Sequence, residues 1–105
     1  MTFNDLRYTL KRMIKSFHCK DTQALFEGRT PRRFRGIEHP GTRKLQMLDD
    51  ATDLLSDLGG VPGNRLEKLS GKRKGQWSIR INDQWRICFQ WKDCSASNVE
   101  IVDYH

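Results

Sequence analysis

The clearest periodic pattern in the chain is the alternation of apolar and polar residues between positions 77 and 91. Apolar residues occupy every second position in two runs, 77–82 and 84–91. Such alternation is typical of half-buried strands, and the short polar interval between the runs predicts an antiparallel hairpin. A last strand is predicted at 99–104, after a polar turn at 92–98.

The register of this hairpin follows from keeping one of its faces apolar. A two-residue turn would place Ile79 opposite Arg86 and mix the faces. A three-residue loop at 82–84 pairs Ile79 with Ile87 and keeps one face wholly apolar, so this register is predicted.

The same register predicts that Arg80 lies directly opposite Arg86, where like charges destabilise a sheet. Two explanations are open. Each arginine has an acidic partner, for which Glu100 and Asp103 are available, or the pair binds an anion such as phosphate.

A long helix is predicted at residues 42–58, where apolar positions follow the spacing of one helix face and Gly59 and Gly60 end the pattern. The face comprises Leu45, Leu48, Ala51, Thr52, Leu55 and Leu58. The opposite face carries Asp49, Asp50, Asp53 and Asp57. A solvated surface explains these aspartates by default, although an acidic stripe could also contact a basic partner.

The other segments predict shorter elements. Residues 13–18 fit an edge strand, and Asp21 or Thr22 could cap a short helix that stops at Gly28. The prolines and basic residues of 29–40 predict a loop. Residues 1–12 are interpreted as an N-terminal extension, consistent with an upstream start codon, before a single domain at 13–105.

Composition and charge narrow the function classes. The chain has 105 residues, a net charge of +6 and a pI near 9.6, which indicates one small domain with an acidic partner. The positive charge is concentrated at 29–44 and 65–80, with six basic residues against one acid in each. Nucleic acid, an acidic protein and an anionic membrane surface are the candidate partners.

Other classes are disfavoured. No apolar run approaches the ~20 residues of a membrane span, and no P-loop, GxGxxG or HExxH motif is present. The three cysteines are an odd number without paired spacing, which favours a reducing cytosol. A zinc site of His18, Cys19, Cys88 and Cys94 is disfavoured because the spacing is irregular and Cys88 fits a buried strand position. The terminal sequence Asp103-Tyr104-His105 is, from composition alone, explained best as a polar tail.

Four sequence blocks resemble one known family. They are MIKSF at 13–17, NRLEKL at 64–69, GQWSIRINDQWRICF at 75–89 and VEIVDYH at 99–105. Together they are similar to the HigB toxins, the plasmid-maintenance killer proteins of the RelE/ParE superfamily. The resemblance implies an α+β, RelE-like microbial ribonuclease fold, with two N-terminal helices packed on a twisted, mainly antiparallel sheet.

The resemblance also implies a function and partners. It implies a cytoplasmic, ribosome-dependent mRNA endonuclease that needs no metal or cofactor. Its implied partners are mRNA on the ribosome and a HigA-type helix-turn-helix antitoxin, which contacts operator DNA and neutralises the toxin. Two alternatives are a ParE-like toxin that acts by binding a protein, and a basic nucleic-acid-binding module without catalysis.

The family's functional residues are carried over by motif. Asp103, Tyr104 and His105 match residues needed for activity, and the segment 68–73 matches the loop that faces RNA. Some relatives have a histidine and a lysine where Glu67 and Ser70 stand here, which leaves the general base open. The predicted catalytic residues are His105, Tyr104, Asp103, Lys68, Arg73 and Arg80. The predicted RNA-binding residues are Arg65, Lys72, Lys74 and Arg86.

Chemical roles follow from the residue types. His105 titrates near neutrality, and the chain-terminal carboxylate beside it favours the imidazolium form of a general acid. Tyr104 can stack on a base, and Asp103 can orient the imidazole. Since the aspartates of 42–58 repel phosphate, the antitoxin rather than RNA is expected to cover part of that helix.

Overall fold

Two α-helices and a four-stranded sheet organise residues 14–103, the part of the chain that this computed structural model describes. The helices are α1 (Lys20–Phe26) and α2 (Glu38–Asp50). The strands are β1 (Glu67–Lys68), β2 (Trp77–Arg80), β3 (Trp85–Lys92) and β4 (Ser95–Asp103). Shorter 3₁₀ turns span Arg32–Ile37 and Gly71–Arg73, and a π-helical turn spans Leu54–Gly59. The predicted extension at 1–12, Met13, Tyr104 and His105 lie outside the described residues.

The sheet confirms the predicted α+β class and the hairpin register. Its order is β1-β2-β3-β4, and each neighbouring pair is antiparallel. Ile79 pairs with Ile87 and Arg80 with Arg86, as the apolar face required. The Ile81 N–H donates to the carbonyl of Trp85 at 2.9 Å and closes the three-residue loop.

The turn between β3 and β4 is shorter than the sequence pattern indicated. A polar turn was predicted at 92–98 and a strand from 99, but β4 begins at Ser95. Asp93 and Cys94 have φ angles of 53° and 63°, which form a two-residue turn with left-handed residues. Such turns match the twist of the flanking strands. The polar residues after the turn therefore belong to the strand.

The core lies between one face of the sheet and the two helices. Ile79, Ile87 and Ile101 of the sheet are completely buried, as are Leu45 and Leu48 of α2. Helix α1 starts at Lys20 without a side-chain cap, so the predicted capping by Asp21 or Thr22 is wrong. The Thr22 hydroxyl instead accepts a hydrogen bond from the Ile101 N–H at 3.0 Å and joins α1 to β4. The predicted end of this helix near Gly28 is confirmed.

The loop predicted at 29–40 is confirmed at 29–31 and wrong at 32–40. The 3₁₀ turn Arg32–Ile37 leads directly into α2, and Pro40 lies in the first turn of that helix. A proline is tolerated there because the first N–H groups of a helix have no intrahelical acceptor. Phe34 anchors the segment, since its buried ring packs edge-on against Trp85 with centroids 5.5 Å apart.

The single helix predicted at 42–58 is also wrong, because α2 ends at Asp50 and Ala51 is extended. Ala51 has ψ 137°, and the π-helical turn starts at Leu54. The Asp53 carboxylate accepts from the Leu55 N–H at 3.2 Å. The Asp57 carboxylate accepts from the N–H groups of Thr52 at 2.9 Å and Asp53 at 3.0 Å. These local acceptors satisfy the backbone at the break.

The break changes the environment of the predicted apolar and acidic faces. Leu58 remains buried, but Leu55 is 67% exposed and Thr52 is also exposed. The aspartates are hydrogen-bond acceptors rather than a merely solvated stripe. Asp49 accepts from the Ile14 N–H at 3.0 Å, and Asp50 accepts from the Gln46 amide at 3.1 Å.

The edge strand predicted at 13–18 is present only as two isolated parallel bridges. Ile14 pairs with Ala96 and Phe17 with Val99. The Lys15 N–H donates to the Ala96 carbonyl at 2.8 Å, and the Ser16 carbonyl accepts from the Val99 N–H at 3.1 Å. The segment thus follows the edge of β4, but the Ile14 N–H is bonded to Asp49 instead of to a strand.

We predict that Asp57→Asn destabilises the protein at neutral pH and flattens the acid limb of its stability profile. The N–H groups of Thr52 and Asp53 lower the pKa of this carboxyl group in the folded state. Its stabilising effect is therefore complete above the unfolded pKa of about 3.9 and is lost as the pH falls through the lower folded value.

Thermal melts between pH 2 and pH 7 measure this effect. Asp93→Asn is the matched control, because it removes the same charge from an exposed turn. Equal melting profiles for the two variants would contradict a capping role for Asp57.

Candidate functional site

The sheet face opposite the core carries a row of polar and charged residues. Strand alternation and the register place Ser78, Arg80, Arg86, Cys88 and Glu100 on this face, which we call the outer face. Ser78 and Cys88 are buried, so the face is covered by the longer side chains around them. Two of the predicted functional residues, Arg80 and Arg86, therefore lie side by side at one end of the outer face.

Arg86 is fixed by several acceptors. Its Nε donates to the Ser78 hydroxyl at 2.8 Å, and its Nη2 donates to the Arg65 carbonyl at 2.7 Å. The Glu67 carboxylate lies 3.8 Å from Nη2, and the Arg86 side chain is only 11% exposed. This arginine, predicted to bind RNA, is thus part of the fold as well.

Arg73 joins the outer face from the loop after β1. Its Nη1 lies 3.4 Å from a Glu100 carboxylate oxygen and donates to the Gln76 amide oxygen at 3.1 Å. Cys88 lies in the strand row between Glu100 of β4 and Ser78 of β2, with which it pairs. Burial raises the pKa of Cys88, so the thiol behaves as a small apolar group.

Arg80 has a weaker acidic partner. It forms an ion pair with Asp83 in the hairpin loop, whose side chain is fully exposed, while that of Arg80 is 31% exposed. Of the two explanations left open by the sequence, the acidic partners are present, but they are not Glu100 and Asp103, the acids that the sequence offered. Instead Glu67 faces Arg86, Asp83 faces Arg80 and Glu100 faces Arg73, because the register brings β1 and the loops to this face.

The strand register separates Lys68 from Arg80 and Arg86, although Lys68 lines one groove with Arg73. Lys68 pairs with Trp77, which packs against the core, and its Nζ lies 5.9 Å from the centre of the Trp77 ring. Cross-strand partners share a face, so Lys68 belongs to the other side of the sheet. Lys72, Lys74 and Arg65 are exposed in the segments flanking β1. A groove of about 320 Å³ is lined by residues 67–70, Lys72 and Arg73.

Asp103 ends β4 near the arginine pair but, as the partner of Trp85, belongs to the other side of the sheet. It pairs with Trp85, and the preceding Val102 pairs with Arg86. Its exposed carboxylate accepts from the Gln84 amide at 3.1 Å. The catalytic assignments of Tyr104 and His105 remain predictions, because these residues lie beyond the described part of the chain.

Two further residues contribute to this region without having been singled out from the sequence. Asn64 is completely buried between α2 and β2, and Lys44 of α2 donates to its side-chain oxygen. The only sequence signal was indirect, since Asn64 begins the NRLEKL block and Lys44 lies in a basic cluster. Neither fact indicates a contact between residues 20 positions apart.

Neither a metal cluster nor a membrane helix is found within residues 14–103. No three His, Cys, Asp or Glu side chains of this part of the chain come together as a cation site. None of its helices combines the length and apolar character needed to cross a bilayer.

The two helices and the antiparallel sheet fit the α+β fold of the RelE-like toxins. A sequence model of the HigB-like toxins, described as the RelE-like toxin of the type II toxin-antitoxin system HigB, matches residues 12–105. The chain belongs to this family, and the resemblance noted in its sequence is confirmed.

Curated relatives agree with this assignment. The chain is 52% identical over 62 residues to Toxin HigB-1 of Vibrio cholerae, a match that covers 59% of this chain and 64% of that protein. It is 33% identical over 96 residues to Endoribonuclease HigB of Proteus vulgaris, covering 89% of this chain and 100% of that protein. An uncharacterized protein of Haemophilus influenzae is 35% identical over 57 residues, which cover 54% of this chain and 55% of that protein.

We predict that removing Arg86 destabilises the protein more than removing Arg80 does. Arg86→Ala leaves the buried Ser78 hydroxyl without its donor and should cost about 1–3 kcal/mol of stability. Arg80→Ala removes an ion pair to an exposed partner and should cost less than about 1 kcal/mol. Chemical denaturation of the two purified variants measures the difference.

A large loss of stability in Arg80→Ala, equal to that in Arg86→Ala, would contradict this assignment. It would mean that Arg80 is a structural residue rather than a side chain accessible to an anion.

Proposed function

We propose that this toxin is an endoribonuclease that cleaves mRNA on the ribosome in the cytoplasm and is neutralised by a HigA-type antitoxin. The observation that carries the proposal is the match over the full length of the Proteus vulgaris endoribonuclease. The outer face supports it, because three arginines lie on the side of the sheet next to the end of β4.

The charge distribution favours a single-stranded RNA substrate. Arg65, Lys72 and Lys74 are exposed around β1, and Arg73 and Arg80 are partly accessible on the adjoining face. Such a surface attracts the phosphates of an RNA strand and predicts binding that weakens with salt. Lys68 lies on the other side of the sheet from Arg80, a position that suits contact with a different part of the RNA strand.

The proposed reaction uses the 2′-hydroxyl of the RNA itself. A base removes the 2′-hydroxyl proton, and the oxygen attacks the adjacent phosphorus to form a 2′,3′-cyclic phosphate. The bond from phosphorus to the 5′-oxygen breaks, and an acid protonates that oxygen. Arg80 and Arg73 stabilise the charge that grows on the phosphate. We assign the acid role to His105, with Asp103 orienting it and Tyr104 stacking on a base.

The described end of β4 lies next to the arginine pair. Val102 pairs with Arg86, so the strand that precedes the proposed catalytic residues runs beside this arginine.

The ion pairs of the outer face support the dependence on the ribosome. Arg73 and Arg86 already face Glu100 and Glu67, so a free RNA strand must compete with two carboxylates. An mRNA positioned by the ribosome avoids most of the entropic cost of binding. We therefore expect weak cleavage of free RNA and efficient cleavage during translation.

We predict that His105→Ala, or deletion of Tyr104 and His105, abolishes growth inhibition and mRNA cleavage in a translating extract. Folding should persist, because the described core ends at Ile101. Circular dichroism and capture of the antitoxin serve as the folding controls.

Full cleavage by the truncated chain would remove the terminal residues from the mechanism. Retained toxicity without any RNA cleavage by the intact toxin would instead favour the ParE-like alternative, in which the toxin binds a protein target.

We place part of the antitoxin contact on the surface around the helix break. Leu55 is the most exposed large apolar residue of the described chain, and Asp50, Asp53 and Asp57 lie close to it in sequence. An apolar side chain within negative charge fits a basic amphipathic segment and repels RNA phosphates.

We predict that Leu55→Glu weakens antitoxin binding by at least tenfold and leaves mRNA cleavage unchanged. The exposed side chain contributes little to the core, so the variant should fold. Calorimetric titration with the antitoxin measures the affinity, and unchanged affinity would exclude this surface.

A further inference from the structure

The 3₁₀ turn Arg32–Ile37 separates buried and exposed residues with a period of three. Phe34 and Ile37 are buried, whereas Arg32 and Arg35 are exposed. The N–H of Phe34 donates to the carbonyl three residues earlier at 2.9 Å, which is the bond of this helix type. Residues three apart in a 3₁₀ helix lie on the same side, about 6 Å apart along its axis. Arg32 and Arg35 therefore project from one exposed side of the turn, which we call the arginine ridge.

Contacts with the sheet fix the turn beside the end of β4. The Phe34 ring packs edge-on against Trp85, and Trp85 pairs with Asp103, the last residue of the strand. The guanidinium of Arg33 lies 4.6 Å from the centre of the Phe34 ring, and its Nη2 donates to the Ile101 carbonyl at 3.4 Å. The ridge is thus carried by a turn that is anchored on the last residues of the described strand.

The ridge has no acidic partner within residues 14–103. No carboxylate of that part of the chain lies within 4.0 Å of the charged groups of Arg32 or Arg35. The acids next to the turn have other partners, since Glu38 accepts from a threonine hydroxyl at 3.0 Å and Asp21 lies 3.8 Å from Arg33. Two aligned positive charges are therefore available to a ligand.

The chemistry of the ridge favours a phosphate backbone over an acidic protein. Protein interfaces depend on apolar and aromatic anchors at their centres. The large apolar side chain that is exposed within residues 14–103 is Leu55, which lies at the helix break and not in this turn. A guanidinium group, in contrast, presents parallel donors that match the oxygens of a phosphate.

We propose that the arginine ridge binds two neighbouring phosphates of the RNA strand that the toxin cleaves. The site rests on the proposed function and extends it, because it adds a surface on the helix side of the sheet to the outer face. Arg80 and Arg86 lie on the outer face at the same end of the sheet, where β4 leads to the proposed catalytic residues. A strand cleaved at this end has to continue past it, and the ridge offers its next phosphates a contact.

The salt dependence of RNA binding tests this inference. The probe is a single-stranded oligonucleotide with 2′-O-methyl riboses, which lacks the attacking hydroxyl and stays intact. Each phosphate contact contributes about 0.7 to the slope of log K against log salt concentration. Arg32→Gln combined with Arg35→Gln should reduce this slope by about 1.4, because two phosphate contacts are lost. Fluorescence anisotropy over a salt series measures the slope.

A control pair removes the same charge from the opposite end of the sheet. Lys15 and Lys92 are both exposed. The Lys15 N–H donates to the Ala96 carbonyl at 2.8 Å and Lys92 pairs with Ser95, so both lie far along β3 from Trp85. Lys15→Gln combined with Lys92→Gln should therefore retain the wild-type slope.

A charge-preserving pair and a folding check complete the design. Arg32→Lys combined with Arg35→Lys keeps both charges and should also retain the slope. Circular dichroism checks folding, which should persist because the two exposed side chains have no ion pair within residues 14–103. Should the glutamine pair fail to fold, an unchanged slope in either single glutamine variant overturns the proposal.

Several other outcomes overturn it. They are an unchanged slope in the glutamine pair, a loss of about 0.7, which shows a single phosphate contact, and an equal loss in the control pair. Absence of oligonucleotide binding by the wild-type toxin at low salt has the same meaning. An unchanged slope with weakened antitoxin binding assigns the ridge to a protein, and one with weakened sedimentation on ribosomes that lack mRNA assigns it to ribosomal RNA.

Failure of the proposed function is recognised separately. The wild-type toxin would then leave mRNA intact in a translating extract, whatever the salt slope of the oligonucleotide shows.

Discussion

The pairing of β2 with β3 is the constraint on which the rest of this structure depends. Only the register that aligns Ile79 with Ile87 keeps one face of the hairpin apolar enough to cover the helices. That register also forces Arg80 and Arg86 together on the opposite face. One register of β2 against β3 therefore produces both the continuous apolar core and the positive charge on the outer face.

The two opposed arginines differ in how completely their charges are paired. Arg86 is bound to Ser78, to the Arg65 carbonyl and to Glu67, whereas the acidic partner of Arg80 within residues 14–103 is the exposed Asp83. The more buried arginine is therefore committed to the fold, and its neighbour remains available to a ligand. Arg80 is held by its backbone, because its N–H donates to the carbonyl of Asn64, whose buried side chain accepts from Lys44 of α2.

The break in the long helical pattern shows a second use of charged residues. The carboxylates of Asp53 and Asp57 accept the N–H groups that the break leaves without helical partners, and Asp49 binds the backbone at Ile14. The aspartates thus serve the fold while they keep this surface negative. This negative charge repels RNA phosphates, and Leu55 is exposed next to it.

The sequence by itself determined the α+β class, the hairpin register, the opposed arginines and the family. These features depend on local alternation or on motifs that remain adjacent along the chain. The single helix predicted at 42–58 was wrong, because the spacing of apolar residues does not reveal where α2 ends and a new helical turn begins. The loop predicted at 29–40 was wrong from Arg32 onward, because Phe34 packs against Trp85, which is distant in sequence.

Only the tertiary structure decided which acid faces which arginine. It also decided that Lys68 lies on the other side of the sheet from Arg80 and Arg86, and that Lys44 contacts Asn64. Each of these contacts joins residues from different elements or turns. These residues come close because packing of the helices on the sheet fixes where the loops and strand ends lie. The order of residues along the chain does not specify those positions.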